Sequence, residues 1–218
     1  MSEVRSVGRP SKSTHAREKL IQSAKELFVV MPYDKVSTRL IAKKAGVNSA
    51  LIRYYFANKE GLFETMIRET LAPMQVVMNQ LVKENTHKNL TDLMRTYYRE
   101  MIKVPQFPRL ISQVMYMSPS DIQRKLMEKV FLDVSKPMQE LIFDRLEAGG
   151  LLQPGVDPNL CRISFISLMV FPFMAPPALL SIHGIELSEP FLERLFDHNI
   201  KLMTSGILNP QPQGEVTS

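Results

Sequence analysis

Apolar residues recur along this chain at spacings of three and four rather than two. Leu20, Ile21, Ala24, Leu27, Phe28 and Met31 form one such stripe. It predicts a helix that Ser13 or Thr14 can cap and Pro32 ends. Two short helical pieces follow. Ser37 can cap the first, which carries Leu40, Ile41, Ala42 and Ala45 on its apolar side. Gly46 stands where a tight turn needs a positive φ, and Val47, Leu51 and Ile52 carry the second piece to Phe56. Asn58 can cap a further helix through Leu62, Phe63, Met66 and Ile67. The remainder also reads as helix: 58–84 with a bend near Pro73, 89–104, 107–117, 119–148 with a disturbance at Pro137, 157–181 and 188–206. Gly149-Gly150, Gln153-Pro154-Gly155 and Gly184 mark turns. No stretch alternates strictly, so no strand is predicted, and there is no internal repeat. The class is all-α: an N-terminal three-helix helix-turn-helix domain plus a C-terminal helical domain, with about nine helices.

Charge divides this helical string. Residues 1–59 of the 218 hold 12 Lys and Arg against 4 Asp and Glu, a surplus of +8, whereas residues 60–218 hold 15 against 18, a balance of −3. A basic first quarter on a mildly acidic remainder suits a polyanionic partner. Residues 1–13 are polar, with Arg5, Arg9 and Lys12 beside Gly8 and Pro10. They read either as a loose tail or as a basic arm of the kind that enters a minor groove. The boundaries are then 1–13 for the arm, 14–60 for the helix-turn-helix domain and 61–208 for a second helical domain, with a tail over 209–218 whose composition is that of disorder. The N-terminus has no apolar run of a secretory signal, which points to the cytoplasm.

Composition also removes chemistry. Cys161 is the sole cysteine, so neither an intrachain disulfide nor a multi-cysteine zinc site is possible. His15, His87, His183 and His198 show no metal-ligand spacing. There is no glycine-rich phosphate loop, no histidine beside Cys161 and no acid pair singled out by spacing. The chain reads as a non-enzyme without a cofactor.

Two short helices joined at Gly46 and braced by a longer one make a helix-turn-helix. The second must lie in a major groove about 12 Å wide while the first crosses behind it on the phosphates. Val47 and Ile52 turn inward, which leaves Asn48, Ser49, Ala50 and Arg53 outward. The run LIQSAKELF…STRLIAKKAGVNSALIRYYFANKEGLF resembles the DNA-binding domain of the TetR family of bacterial repressors over about residues 14–63. The resemblance implies that Thr38 and Arg39 touch phosphate or the base edges beside it, and that Asn48, Ser49 and Ala50 face bases. It further implies that Tyr54 and Tyr55 hold the DNA backbone, and that Lys59 sets a cation against phosphate at a helix N-terminus. Two positions depart from the family: Met31-Pro32 replaces a usual glycine, and Arg53 replaces a common aromatic. Arginine there can clamp phosphate or read guanine.

Beyond residue 63 the reading rests on composition. Methionines and aromatics crowd the middle helices, and methionine repacks readily around varied shapes. Met78, Arg95, Tyr97, Tyr98, Met101, Phe107, Met115, Tyr116, Phe131 and Met138 are candidates to line a pocket for a hydrophobic or amphipathic effector. Residues 163–182 carry no charge over 20 residues, the length of a membrane span. Pro172, Pro176 and Pro177 would break its bonding in lipid, so the stretch is assigned to a buried helix and not to a membrane. In the family, the last two long helices pair with their copies as a four-helix bundle. That resemblance places Phe165, Met169, Phe173, Leu192, Leu195, Phe196 and Met203 at a homodimer interface. The functional expectation is a homodimeric repressor on a palindromic duplex operator, released by a small-molecule effector. The alternative is a dimeric DNA-binding regulator without an effector.

Overall fold

The computed structural model describes residues 12–83, 87–134, 148, 150 and 152–208. Arg5, Arg9, Pro137, Met138 and the tail lie outside them, as does the side chain of Met78. Among the described residues there are ten α-helices and a lone bridge between Leu152 and Leu208. The helices are α1 (Lys12–Phe28), α2 (Thr38–Ala45), α3 (Ala50–Phe56), α4 (Lys59–Lys83), α5 (His87–Met101), α6 (Phe107–Met115), α7 (Ile122–Val134), α8 (Pro158–Met174), α9 (Pro177–Ile182) and α10 (Glu189–Gly206).

Local chemistry sets several of these ends. α1 stops at Phe28, short of Pro32, and Tyr33–Lys35 form a 3₁₀ turn after that proline. Ser37 Oγ accepts the Leu40 N–H at 3.1 Å and starts α2. Gly46, at φ 65° and ψ 34°, ends α2 in the left-handed region. Its N–H reaches Lys43 O and the Val47 N–H reaches Ala42 O, a paired closure that absorbs two carbonyls of the last turn. Pro73 sits inside α4 without interrupting it. Asp157 caps α8 through the Asn159 N–H at 2.7 Å, with Pro158 in the first turn.

The predicted single helix over 157–181 is two. α8 ends at Met174 because Pro176 and Pro177 bring no N–H to the ladder. Prolines leave carbonyls without their usual donors, and side chains replace them. Pro172 cannot serve Leu168 O; the Tyr98 hydroxyl donates to it at 2.7 Å and Asn199 Nδ2 at 3.3 Å. Pro177 cannot serve Phe173 O; Arg109 Nε donates to that oxygen at 3.0 Å while Nη2 reaches Ala175 O at 2.6 Å.

The chain forms two compact units, residues up to 70 with 114–128, and 71–113 with the residues from 129 on. In the first, Leu20, Ala24, Phe28, Val36, Ile41, Ile52, Leu62, Phe63, Met66 and Ile67 are buried. Phe28 meets Phe63 edge-on at 4.9 Å. The second is centred on Leu90, Met94, Met101, Phe107, Phe173, Leu192 and Phe196, with Tyr97 and Tyr98 each edge-on to Phe173. Cys161 is buried in this unit, and burial together with the charge of Asp157 pushes its thiol up from the ordinary range. No helix among the described residues is long and apolar enough to cross a membrane.

Candidate nucleic-acid interface

α3 owes its position to what lies under it. Ile52 and Phe56 are buried, which turns the opposite side of this seven-residue helix to solvent. Asn48, Ser49, Ala50, Arg53 and Tyr54 are exposed there, Tyr54 at 77 %. Tyr55 is half-buried and packs edge-on against Tyr54 at 4.8 Å. Arg39 is exposed on α2 and Thr38 is half-buried at its first turn. These residues share one unit with the buried face of α2, formed by Ile41, Ala42 and Ala45. The small Ala42 sits at 2 % exposure, where a larger side chain would meet the core.

Two polar residues have structural work as well. Asn48 Oδ1 accepts the Ala50 N–H at 2.8 Å and so starts α3, which leaves the Nδ2 group as the side chain's donor. Lys59 is turned inward. Its Nζ donates to Tyr33 O at 3.0 Å and stands 3.9 Å from the centre of the Tyr33 ring. Tyr33 stacks on Phe28 at 5.4 Å, and burial, with the negative charge of Glu60, pushes its phenol up. The start of α4 is therefore tied to the turn after α1. No local pattern marks this tie, because the partners lie 26 positions apart and the acceptor is a backbone carbonyl. Arg17 of α1 is likewise unmarked by any motif; it pairs with Glu69 of α4 at 2.6 Å and lies 5.6 Å from the Phe56 ring. Lys44 is held by Glu26 at 2.9 Å, an ion pair that keeps the Glu26 carboxyl below its usual range.

The pocket candidates are placed variously, Met115 and Tyr116 in the first unit and the other described ones in the second. Tyr97, Met101 and Phe107 are packed in the core of the second unit. Arg95 and Tyr98 line an open groove of about 470 Å³ between α5 and α10, where the Arg95 guanidinium lies 4.2 Å from the centre of the Phe196 ring. Met115 and Phe131 are half-buried. Tyr116 stands 90 % exposed, outside that groove. Five of the residues assigned to a partner contact are core of their own chain: Phe165, Phe173, Leu192, Phe196 and Met203 are all buried. Met169 and Leu195 are half-buried. The large apolar residues that α8 and α10 leave open are instead Leu160 at 67 %, Ile163 at 64 %, Phe171 and Leu202. Leu160, Ile163 and Phe171 follow one another at helical spacing along one side of α8.

Residues 20–66 match the bacterial regulatory proteins of the tetR family. A curated relative, "Probable HTH-type transcriptional regulator YttP" of Bacillus subtilis (strain 168), is 24% identical over 190 residues, which is 85% of this chain and 90% of that one. Among solved structures, NalD, the secondary repressor of the MexAB-OprM multidrug efflux pump in Pseudomonas aeruginosa, superposes with a TM-score of 0.65 at 20% identity, over 93% of this chain and 100% of that one. The SmeT–triclosan complex does so with a TM-score of 0.63 at 15% identity, over 92% and 99%. Residues 20–66 therefore carry the helix-turn-helix domain of the tetR family of bacterial regulatory proteins, and the described residues adopt a helical fold like that of these solved structures.

Proposed function

We propose that the protein is a cytoplasmic, homodimeric repressor whose two α3 helices enter successive major grooves of a near-palindromic operator. In dimeric helix-turn-helix proteins such half-sites lie about 34 Å apart. One observation carries the reading: α3 presents Arg53 and Tyr54 to solvent, beside exposed Ser49 and Ala50, on a buried Ile52–Phe56 footing. The Arg5–Arg9 arm adds minor-groove contacts. The stripe Leu160–Ile163–Phe171 on α8, with Leu202 on α10, supplies the partner face, because apolar area of this kind is stabilised when a second copy covers it. Gel shifts test the contacts. Arg53→Ala removes a base or phosphate clamp and should weaken operator binding about tenfold or more. Arg39→Ala should weaken all duplexes alike and flatten the salt dependence by about one charge. If both variants bind as the wild type does, α3 is not the reading helix. Ile163→Glu should convert the dimer to monomer in sedimentation.

The effector we assign is a hydrophobic or amphipathic small molecule that binds the second unit and favours the state unable to grip DNA. SmeT, a neighbour in fold, is known as a triclosan complex, which supports an apolar effector class. The packing of Tyr97, Met101 and Phe107 into the core favours the second reading, a dimeric regulator without an effector. Native mass spectrometry of the purified protein separates the two: a co-purifying small molecule whose addition releases DNA supports the first.

A further inference from the structure

Only two residues, Ala57 and Asn58, turn the chain from the last residue of α3 to the first of α4. Ala57 lies at φ 66° and ψ −46°, and across it the Asn58 N–H bonds Phe56 O at 2.8 Å. This is a γ-turn with a positive central φ, a rare and strained form. Ala57 is the one non-glycine residue with positive φ among the described residues. Strained backbone of this sort persists where its surroundings over-determine it, and it concentrates at functional sites.

Three contacts over-determine this one. The Ala57 N–H bonds Arg53 O at 3.1 Å, so the turn grows directly out of α3. Asn58 Oδ1 accepts the Gly61 N–H at 2.8 Å and fixes the first turn of α4. Gly61 itself faces the end of α3 so closely that a Cβ there would land on the Phe56 carbonyl oxygen, the same oxygen that closes the γ-turn. That neighbour is backbone, so it cannot swing aside as a flexible side chain would. Lys59, held by Tyr33, keeps α4 from retreating to make room.

We propose that Gly61 is a positioning residue for DNA reading. The bare Cα lets the end of α3 seat on the first turn of α4, and this seat, with the γ-turn at Ala57, fixes the angle at which α3 meets the major groove. Arg53 and Tyr54 lie two to three residues before the seat. A methyl group at position 61 therefore swings their side chains off the base edges while leaving the charged surface intact. The proposal rests on the DNA-binding reading above. An operator recovered from random duplexes by selection with the wild-type chain separates the two. If selection enriches no sequence, that reading has failed and the proposal with it; if it does, the variants decide.

Gly61→Ala, assayed well below its unfolding midpoint, should keep its helical circular dichroism and lose about tenfold or more in operator affinity, the value of one bidentate base contact. Its affinity for random duplex should stay within about twofold, because that term is set by phosphate neutralisation. Operator binding within about twofold of the wild type overturns the proposal, and so does an equal loss on operator and random duplex. Should Gly61→Ala fail to fold, Ala57→Gly takes its place. Glycine adopts the positive φ without strain, so its midpoint should rise, while the freed turn lowers the operator-to-random ratio about threefold. A raised midpoint with an unchanged ratio overturns the proposal equally.

Discussion

Removing the Tyr98 hydroxyl isolates how the fold tolerates a proline inside α8. In a regular helix the Leu168 carbonyl would accept the N–H of residue 172, but Pro172 has none. Tyr98 fills the position with a 2.7 Å hydrogen bond, and Asn199 Nδ2 donates to the same phenol oxygen at 2.9 Å. Both side chains are buried, Asn199 at 2 % exposure. Tyr98→Phe preserves the ring and its edge contact with Phe173, and it leaves Leu168 O with only the long 3.3 Å bond from Asn199. A buried polar group deprived of its partner costs about 1–3 kcal/mol. In a chain of this length about 2 kcal/mol lowers the melting temperature by roughly 4–8 °C. Calorimetry at fixed protein concentration measures it, since association adds to apparent stability. The decisive arm is the same change in a Pro172→Ala background. There the restored backbone N–H at position 172 serves Leu168 O, and the cost of Tyr98→Phe should fall by about 1 kcal/mol or more, a coupling within the range for contacting residues. Equal costs in the two backgrounds would refute the idea that the phenol stands in for the missing N–H.

Three further outcomes follow from the same geometry. Burial pushes the Tyr98 phenol up to about 12, partly offset by the Asn199 hydrogen bond. The unfolded phenol titrates near 10, so its contribution is complete below about pH 10 and is lost as pH rises towards 12; alkaline denaturation should be less steep in Tyr98→Phe, by at most about 1.4 kcal/mol per pH unit. Ser37→Ala removes the cap of α2 and should cost about 1 kcal/mol in urea titrations, with Ser37→Gly nearer the wild type. Arg109→Leu strips donors from the carbonyls of Phe173 and Ala175 and should speed amide exchange at the end of α8 and the start of α9.

The helix-turn-helix was legible because its signals are local. Ser37, Gly46 and Asn58 each act on backbone groups within five positions, so their residue types suffice to place them. The second unit was less so. An apolar stripe reveals that a face is covered but not by what. Phe165, Leu192 and Phe196 read equally well as partner contacts, yet they fill their own chain's core. The break in α8 was readable from Pro176-Pro177, but the charge-free run of residues 163–182 argued for continuity. The substitutes for missing N–H groups could not be read at all: Tyr98 and Asn199 are 101 positions apart, and Arg109 lies 64 from Phe173. Tyr116 shows the converse, an aromatic that composition assigns to an interior and the fold leaves outside.

The single thiol at Cys161 has a practical consequence. It is 3 % exposed and its thiolate is disfavoured, so thiol-directed probes have little to react with in the native chain. A cysteine introduced at an open position such as Tyr54 would be the one site that takes a fluorophore or spin label. The protein thus arrives with a silent background, and distances between the α3 helices of the proposed dimer become measurable by spectroscopy without first removing the native cysteine.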